Sequence, residues 1–279
     1  MSTEKIIIEP GRGNKNYWRD LWNYRDLFSV LAWRDVAVRY KQAVAGALWA
    51  ILQPLASMII MTIVFGKIAG LPSEGRAPYA MMVFVALLPW QFFSSLLTTA
   101  SQSIVSNAHL ITKVYFPRMI IPMSSVAVAL VDFLVSALIL IGLMIWYQFW
   151  PTWRILTLPV FILLAIVAVL GPSLILTALI VRYRDFRFLI PFIVQLGLYV
   201  SPVAYSSAIV HQKLGGPLFT FYTLNPMVGV IDGFRWALLG GEAVIWWPGF
   251  LISLAISCFL FILGITYFRK TERLFSDYI

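Results

Sequence analysis

Six long stretches of this sequence carry almost no charge, and they constrain the fold more than any other feature. Five of them contain no Asp, Glu, Lys or Arg, and the third is interrupted only by Asp132. A helix that crosses the hydrocarbon core of a membrane needs about 20 apolar residues, so each stretch is long enough. The six stretches are residues 42–66, 77–108, 119–153, 155–181, 188–210 and 243–268.

The composition excludes a soluble globular domain. Hydrophobic residues make up 61% of the chain, charged residues only 12%, and the mean hydropathy is +0.85. A water-soluble fold needs a larger charged surface than this. Because backbone groups in lipid must be hydrogen-bonded within the protein, the stretches are predicted to be helices. The predicted fold is an all-α integral membrane protein with six transmembrane helices in residues 43–268.

The placement of Lys and Arg predicts the orientation of these helices. With the N-terminus in the cytoplasm, 16 of the 21 Lys and Arg residues lie in the tails and loops on the inner side. Positive residues accumulate on the cytoplasmic side of membrane proteins, so both termini, residues 1–16 and 269–279, are predicted to be cytoplasmic tails. Anionic lipid headgroups explain the net charge of +9, and no nucleic-acid partner is needed.

Residues 17–42 are predicted to form an N-terminal amphipathic helix that lies in the membrane interface. An apolar stripe recurs at helical spacing, at Leu21, Tyr24, Phe28 and Leu31. Asp35 falls near this stripe and is expected to pair with Arg39 four residues later. Three basic side chains are candidates for contact with an anionic headgroup or for a gate, namely Arg34, Arg39 and Lys41. The alternative is a basic membrane anchor with no further role.

The inner loop at residues 106–118 has the pattern of a small docking element. Asn107 is expected to cap a helical turn, Leu110 and Val114 share one face of that turn, and Pro117 ends it. Lys113 is one of the two basic residues that flank the apolar face. Such a knob would fit a groove on a soluble partner, and the alternative is an ordinary loop.

Polar and aromatic residues mark a candidate route through the membrane. Ser94 and Thr98 follow one face of the second stretch, which favours either close helix packing or a hydrated path. Four aromatic side chains in the outer half could stack on sugar rings, or belong only to the aromatic belt and to helix packing. They are Trp90, Phe92, Tyr199 and Tyr205. Asp132 is expected to make a structural hydrogen bond to a neighbouring helix, because a bare carboxylate in lipid is costly.

Residues 225–241 are predicted to form a short re-entrant helix before the last span. Asn225 provides a helix N-cap and Pro226 the first helical position, while Gly240 ends the helix. The helix would be about 14 residues or 21 Å long, too short to cross. Asp232 and Arg235 are expected to pair at this spacing. The alternative is a helix lying on the outer surface.

The sequence contains no motif for ATP hydrolysis or metal chemistry. A phosphate loop, a zinc-protease motif, a nucleophile elbow and a Cys-x-x-Cys pair are all missing from it. The two His residues and the single Cys258 offer too few ligands for a metal site or a disulfide. We therefore expect no cofactor in this chain and no enzyme activity of its own.

Several runs, in order, resemble the permease subunits of type-2 ABC exporters for polysaccharides. They are Trp33-Arg34-Asp35-Val36 with Arg39-Tyr40-Lys41, Leu48 through Pro54, Leu87-Leu88-Pro89-Trp90, Asn107 with Leu110 through Arg118, Val181 through Asp185, and Leu224-Asn225-Pro226-Met227. Each run alone is weak, but their order and spacing together are specific. The resemblance covers nearly the whole chain from about Tyr17.

The resemblance implies a homodimer of six-helix subunits in the bacterial cytoplasmic (inner) membrane, joined to two ABC ATP-binding subunits that bind ATP and Mg²⁺. It implies export of O-antigen, capsule, teichoic acid or a similar glycan, often linked to a lipid. It also assigns residues 106–118 as the coupling helix and residues 225–241 as the re-entrant segment near the exit. The residues expected to couple to the ATPase are Asn107, His109, Leu110, Lys113, Tyr115, Pro117 and Arg118.

Three other functions stay open at this point. A type-2 permease for a small molecule such as a drug would share the same motifs. An integral-membrane enzyme acting on lipid-linked sugars would need paired carboxylates or His near an interface, and only Asp132 and the group around Asp232 come close. An ion channel or antiporter is disfavoured because intramembrane charge is scarce.

Overall fold

A computed structural model describes residues 17–41, 44–240, 243 and 245–275, with side chains for all of these except 41 and 44–47. The predicted tail at 1–16, the last residues of the predicted tail at 269–279 and the side chain of Lys41 lie outside the described part. Within that part every regular element is helical. The α-helices are α1 Tyr17–Asn23, α2 Arg25–Lys41, α3 Val44–Met61, α4 Tyr79–Ser106, α5 Ala108–Ile111, α6 Ile120–Trp146, α7 Leu158–Arg182, α8 Leu189–Val200, α9 Ser207–Leu214, α10 Gly216–Tyr222, α11 Pro226–Leu239 and α12 Trp247–Thr271.

Four shorter helical segments extend or connect these helices. A π-helical segment, Thr62–Ile68, continues α3, and 3₁₀ turns cover Trp153–Thr157, Arg184–Phe188 and Glu272–Leu274. Five helical stretches in the described residues are long and apolar enough to cross a membrane. They are Leu48–Ile68, Tyr79–Ser106, Ile120–Trp146, Trp153–Arg182 and Trp247–Leu274. The expectation of an all-α membrane protein is confirmed at this level.

The fifth predicted stretch, residues 188–210, does not form one long helix. Helix α8 has 12 residues, or about 18 Å, and ends at Val200, two residues before Pro202. Helix α9 begins only at Ser207. The carbonyl groups freed by this break are bonded by distant side chains. Arg235 donates to the carbonyl oxygens of Val203 and Tyr205 at 3.1 and 2.9 Å, and the hydroxyl of Tyr79 donates to that of Ala204.

Helix α4 is the centre of the packed structure. It contacts α3, α6, α7, α8 and α11, and most of its side chains are buried. Helices α7 and α12 cross very closely, because a Cβ on Gly264 would overlap the carbonyl oxygen of Gly171. The larger of two hydrophobic cores runs along α4, α6, α7 and α11.

The second core, which we call the junction cluster, brings the first described residue, Tyr17, together with the last, Phe275. It contains Tyr17, Leu31, Ile104, Ile111, Phe116, Met119, Ile120, Ile121, Leu174, Ala178, Val181, Phe268 and Phe275. The apolar stripe predicted on residues 17–42 packs against this cluster, because Leu31 is buried and Leu21, Tyr24 and Phe28 lie against it. Large aromatic residues such as Trp22 and Trp33 lie on the exposed side of α1 and α2, so apolar residues occur on both sides of this segment.

Helix α11 occupies the residues that its capping signals predict. The side chain of Asn225 accepts a hydrogen bond from the backbone N–H of Met227 at 3.0 Å, and Pro226 is the first helical residue. Gly240 ends the helix with a positive φ of 63°, which residues with a Cβ rarely adopt. Nearly all of α11 is buried against α4, α7 and α12, so it does not lie on the protein surface.

Candidate functional site

A polar cleft of about 330 Å³ opens between α2, α3, α4 and α6. It brings one candidate gate residue, Arg39, beside three candidate path residues of α4, which are Phe92, Ser94 and Thr98. The lining is completed by Ala50, Gln53, Pro54, Leu88, Gln91, Ser95, Thr99, Asp132, Phe133, Ser136 and Val194. Hydroxyl and amide groups alternate with aromatic and aliphatic surface, so the wall offers polar contacts with little net charge.

An ion pair lies at the centre of the lining. Arg39 Nη2 is 2.7 Å from Asp132 Oδ2, which joins α2 to the middle of α6. The hydroxyl of Tyr40 donates to Asp132 Oδ1 at 2.5 Å, and that of Ser95 donates to Oδ2 at 3.1 Å. Asp35, the expected partner of Arg39, instead binds the neighbouring Arg34 at 2.6 Å. The prediction of the Asp35–Arg39 pair was therefore wrong.

Tyr40 keeps its proton throughout the physiological range. Burial, followed by the hydrogen bond to Asp132 and the charge of that carboxylate, raises the pKa of Tyr40 to about 12. Tyr40 therefore stays a neutral donor to Asp132 whether or not Arg39 is present. The sequence offered little signal for this role, because Tyr40 stands out only as the residue that follows Arg39.

Three of the α4 hydroxyl side chains that line the cleft donate to backbone carbonyl groups of α4 itself, whereas Ser95 donates to Asp132. Thr98 donates to the carbonyl oxygen of Ser94 at 2.7 Å, Ser94 to that of Gln91 at 3.1 Å, and Thr99 to that of Ser95 at 2.8 Å. Their oxygen lone pairs remain as acceptors on the cleft wall. The wall can therefore accept hydrogen bonds from a hydroxyl-rich ligand.

The other candidate path residues lie outside the cleft lining. Trp90 is buried, stacks on Phe93 with ring centroids 5.3 Å apart, and packs so tightly against α8 that a Cβ on Gly197 would come within 2.6 Å of it. Tyr199 is 58% exposed, and its carbonyl accepts a hydrogen bond from Tyr205 at 2.9 Å. In this conformation Trp90 is part of the packing between α4 and α8, and the side chain of Tyr199 is exposed.

The predicted docking loop begins with a short helical turn. Helix α5 has four residues, Ala108–Ile111, and the chain then runs without regular structure to Pro117. The side chain of Asn107 does not cap this turn, contrary to expectation; it donates to the carbonyl of Ser103 at 2.9 Å and accepts from Arg34 at 2.8 Å. Asn107 therefore ties the loop to α2.

The loop presents a mixed surface beside a groove of about 220 Å³. His109, Lys113, Val114 and Tyr115 are exposed, with Val114 and Tyr115 more than half exposed, while Leu110 is half-buried and Pro117 is buried. Arg118 points into the protein, where it donates to the carbonyl oxygen of Glu272 and lies 6.0 Å from the ring centre of Phe275. The exposed apolar and basic residues of the loop are thus found between 109 and 115.

The junction cluster connects this loop to α1 and to the segment that follows α12. The hydroxyl of Tyr17 donates to Glu272 Oε2 at 2.9 Å, and the guanidinium of Arg269 lies 4.5 Å over the Tyr17 ring. Burial first, then the Glu272 charge, raises the pKa of Tyr17 above its usual range, so it remains a donor. Residues 17 and 272 are too far apart in sequence for any periodic pattern to reveal this contact.

A second cluster of polar side chains, separate from the one around Asp132, surrounds Arg235, which is 1% exposed. Its Nη1 pairs with Glu74 Oε1 at 3.4 Å, and Asp232 accepts a hydrogen bond from Ser207 at 2.7 Å. The Asp232–Arg235 pair expected from spacing is therefore replaced by bonds to groups outside α11. Among the described residues, no group of three or more His, Cys, Asp and Glu could hold a metal ion.

A chain built of apolar helices, of which five within the described residues are long enough to cross a membrane, is a multi-pass membrane protein. The family model described as "ABC-2 type transporter" matches residues 26–239, more than half of the chain. The chain belongs to the ABC-2 type transporter family, which confirms the resemblance seen in its motifs.

Relatives with assigned names extend over most of the chain. A Myxococcus xanthus protein named "O-antigen export system permease protein RfbA" is 29% identical over 217 residues, which are 78% of this chain and 82% of that protein. Two Klebsiella pneumoniae proteins with the same name are 28% and 26% identical, each over 262 residues, which are 90% of this chain and 94% of theirs.

Proposed function

We propose that this chain is the transmembrane permease subunit of an ATP-driven exporter that moves a lipid-linked polysaccharide, such as O-antigen, across the bacterial cytoplasmic membrane. The observation that carries the proposal is the likeness, over 78% to 90% of the chain, to proteins named as O-antigen export permeases. The polar, hydroxyl-lined cleft supports a carbohydrate substrate, because sugars present many hydroxyl donors.

The energy source is a pair of ABC ATP-binding subunits that hold ATP and Mg²⁺, since the sequence has no phosphate loop of its own. The loop at 106–118 is their docking element. Its exposed Val114 and Tyr115, beside Lys113 and a groove, form a small apolar knob with positive charge. Interfaces concentrate binding energy in such aromatic anchors.

Transport follows from movement of two permease subunits against each other. In the proposed homodimer, both termini are cytoplasmic, residues 188–210 supply the sixth span through α8 and the turn after it, and α11 is re-entrant from outside. ATP-driven closure of the partner subunits pushes the docking loop, and the junction cluster transmits that push to α2 and α12 as a rigid-body shift.

The substrate route is proposed to start at the interfacial segment and to end in the outer half. Arg34, Arg39 and Lys41 meet the anionic headgroup, and Ser94, Thr98 and Phe92 line the path of the glycan. Trp90, Tyr199 and Tyr205 contact sugar rings further out after the helices rearrange. Structural support is strongest for Arg39, Phe92, Ser94 and Thr98, because they share one cleft.

The experiment is co-purification of the full chain with its ATPase, followed by reconstitution in liposomes. We expect ATP-dependent export of lipid-linked glycan by the complex and none by this chain alone. Lys113→Glu combined with Tyr115→Ala should weaken association with the ATPase at least tenfold, because an aromatic anchor contributes about 2 kcal/mol or more.

The control for this variant is Lys270→Glu, a charge reversal at an exposed residue near the end of α12. It should leave association and export unchanged. Equal ATPase binding by the Lys113/Tyr115 variant and the native chain would remove the docking assignment. ATP-independent uphill export by the chain alone would overturn the proposed function.

A further inference from the structure

The two partners of the Arg39–Asp132 ion pair differ in how much of each side chain is exposed. The side chain of Arg39 is 41% exposed toward the cleft, whereas that of Asp132 is 16% exposed. Among the described residues that line the cleft, Arg39 is the one cation and Asp132 the one carboxylate. The pair therefore sets the electrostatic character of an otherwise neutral cleft.

The two partners also differ in what remains when they separate. Asp132 keeps hydrogen bonds from Tyr40 and Ser95, one to each carboxylate oxygen, so its charge stays partly compensated. Asp132 is the one ion-pair partner of Arg39 in the described part of the chain. A released Arg39 would therefore need another anion, and the open cleft is where one can reach it.

We propose that Asp132 is an internal competitor for a phosphate-binding site at Arg39. Asp132 holds the guanidinium at the cleft until a phosphate group enters, and the phosphate then takes Arg39 while Tyr40 and Ser95 keep Asp132. A phosphate carries more negative charge than a carboxylate and accepts two parallel hydrogen bonds from a guanidinium, so it can win this exchange.

The inference deepens the proposed function and rests on it in one respect, because the phosphate is taken to be the headgroup of the exported lipid-linked substrate. The exchange gives the cleft selectivity. An uncharged lipid or free sugar cannot displace Asp132, whereas a phosphorylated one can. Asp132 is in this account a specificity-determining residue that acts through Arg39.

If Asp132 competes with phosphate for Arg39, removal of its charge should raise the phosphate affinity, whereas loss of a purely structural residue would not. Asp132→Asn keeps the size of the side chain and an oxygen that can accept from Tyr40 or Ser95, but it removes the competing charge. Phosphate affinity should then rise about two- to fivefold, as expected for removal of one partly exposed ion pair. Arg39→Gln should lower it at least tenfold.

The test measures binding to the purified full chain in nanodiscs of zwitterionic lipid. One arm titrates inorganic pyrophosphate, and the other incorporates phosphatidic acid at increasing mole fraction. Asp26→Asn is the matched control, since it removes an exposed carboxylate from α2, the helix that carries Arg39, and should change neither arm. Pyrophosphate binding in the predicted order shows that phosphate alone suffices, and an effect confined to phosphatidic acid shows that the lipid is part of the ligand.

A second variant covers the case that Asp132→Asn does not fold. Tyr40→Phe removes one neutral donor, so Asp132 depends more on Arg39 and phosphate affinity should fall several-fold. Phosphate binding that is unchanged or weaker in folded Asp132→Asn would refute the role of Asp132 as a competitor. Phosphate binding that is unchanged or tighter in Tyr40→Phe would refute it as well.

The binding assay needs neither the ATPase nor a glycan, so its outcome is separate from that of the export assay. Phosphate binding in the predicted order without ATP-driven export would retain the exchange and remove the proposed function. ATP-driven export together with unchanged phosphate binding by Asp132→Asn would retain the proposed function and remove the exchange.

Discussion

Replacement of Arg235 by Met should destabilise the break between α8 and α9 and lower the stability of the whole chain. Arg235 is 1% exposed and holds the break between α8 and α9 through the carbonyl oxygens of Val203 and Tyr205. It also pairs with Glu74 in the loop before α4. Methionine has a similar length but offers none of these bonds.

The cost follows from the number of buried groups left without a donor. Each hydrogen bond from a charged donor contributes about 1.5–3 kcal/mol, and loss of one partner of a buried charge network typically costs about 3–5 kcal/mol. We therefore expect a loss of about 4 kcal/mol. For a chain of 279 residues, that corresponds to a fall of about 7 °C in the midpoint of thermal unfolding.

The assay is thermal unfolding of the purified full chain in detergent, followed by intrinsic fluorescence and by size-exclusion chromatography of heated samples. Arg235→Lys should recover part of the loss, because an ammonium group can reach some of the same acceptors but lacks the planar fork. Arg76→Met, at an exposed arginine of the same loop, should change the midpoint by less than about 2 °C. Midpoints for Arg235→Met and Arg76→Met that agree within this margin would refute the account of the break.

Two further changes test the helix crossing and the junction cluster. Gly264→Val should lower stability by about 1–3 kcal/mol, because its side chain overlaps the backbone of α7, whereas Gly142→Val, with open space around it, should be nearly neutral; thermal midpoints compare the two. Tyr17→Phe removes the hydrogen bond to Glu272 and should cost about 1 kcal/mol. A Tyr17→Phe midpoint equal to that of the native chain would show that burial of the ring alone holds this contact.

Features that depend on neighbouring residues were predictable from the sequence. The bounds of α11 follow from Asn225 and Pro226 at its start and Gly240 at its end, because capping is decided within a few residues. The long apolar helices follow from the lengths of the uncharged stretches. The family was also predictable, since its motifs recur in order along the chain.

Features that depend on distant residues were not predictable in this way. The stretch at 188–210 is apolar enough for one helix, and it breaks where Arg235 and Tyr79 supply donors to the free carbonyls. Spacing on α2 favoured Asp35 as the partner of Arg39, but Asp132 on α6 takes that place. Helical periodicity identifies neighbours on the same helix and carries no information about which helix packs against it.

The sequence assigns Arg235, Arg118 and Arg39 to separate roles. All three side chains bind acceptors within the protein, and they differ in how deeply they are buried. Arg235 is fully buried, so exchange of its partners would expose a bare charge and is costly. Arg118 is half-buried against Glu272, which suits a fixed joint between the loop and α12. Arg39 is 41% exposed and its acceptor has two other donors, so an exchange of partner is least costly there. Of the three, Arg39 is therefore the position where an entering anion can act.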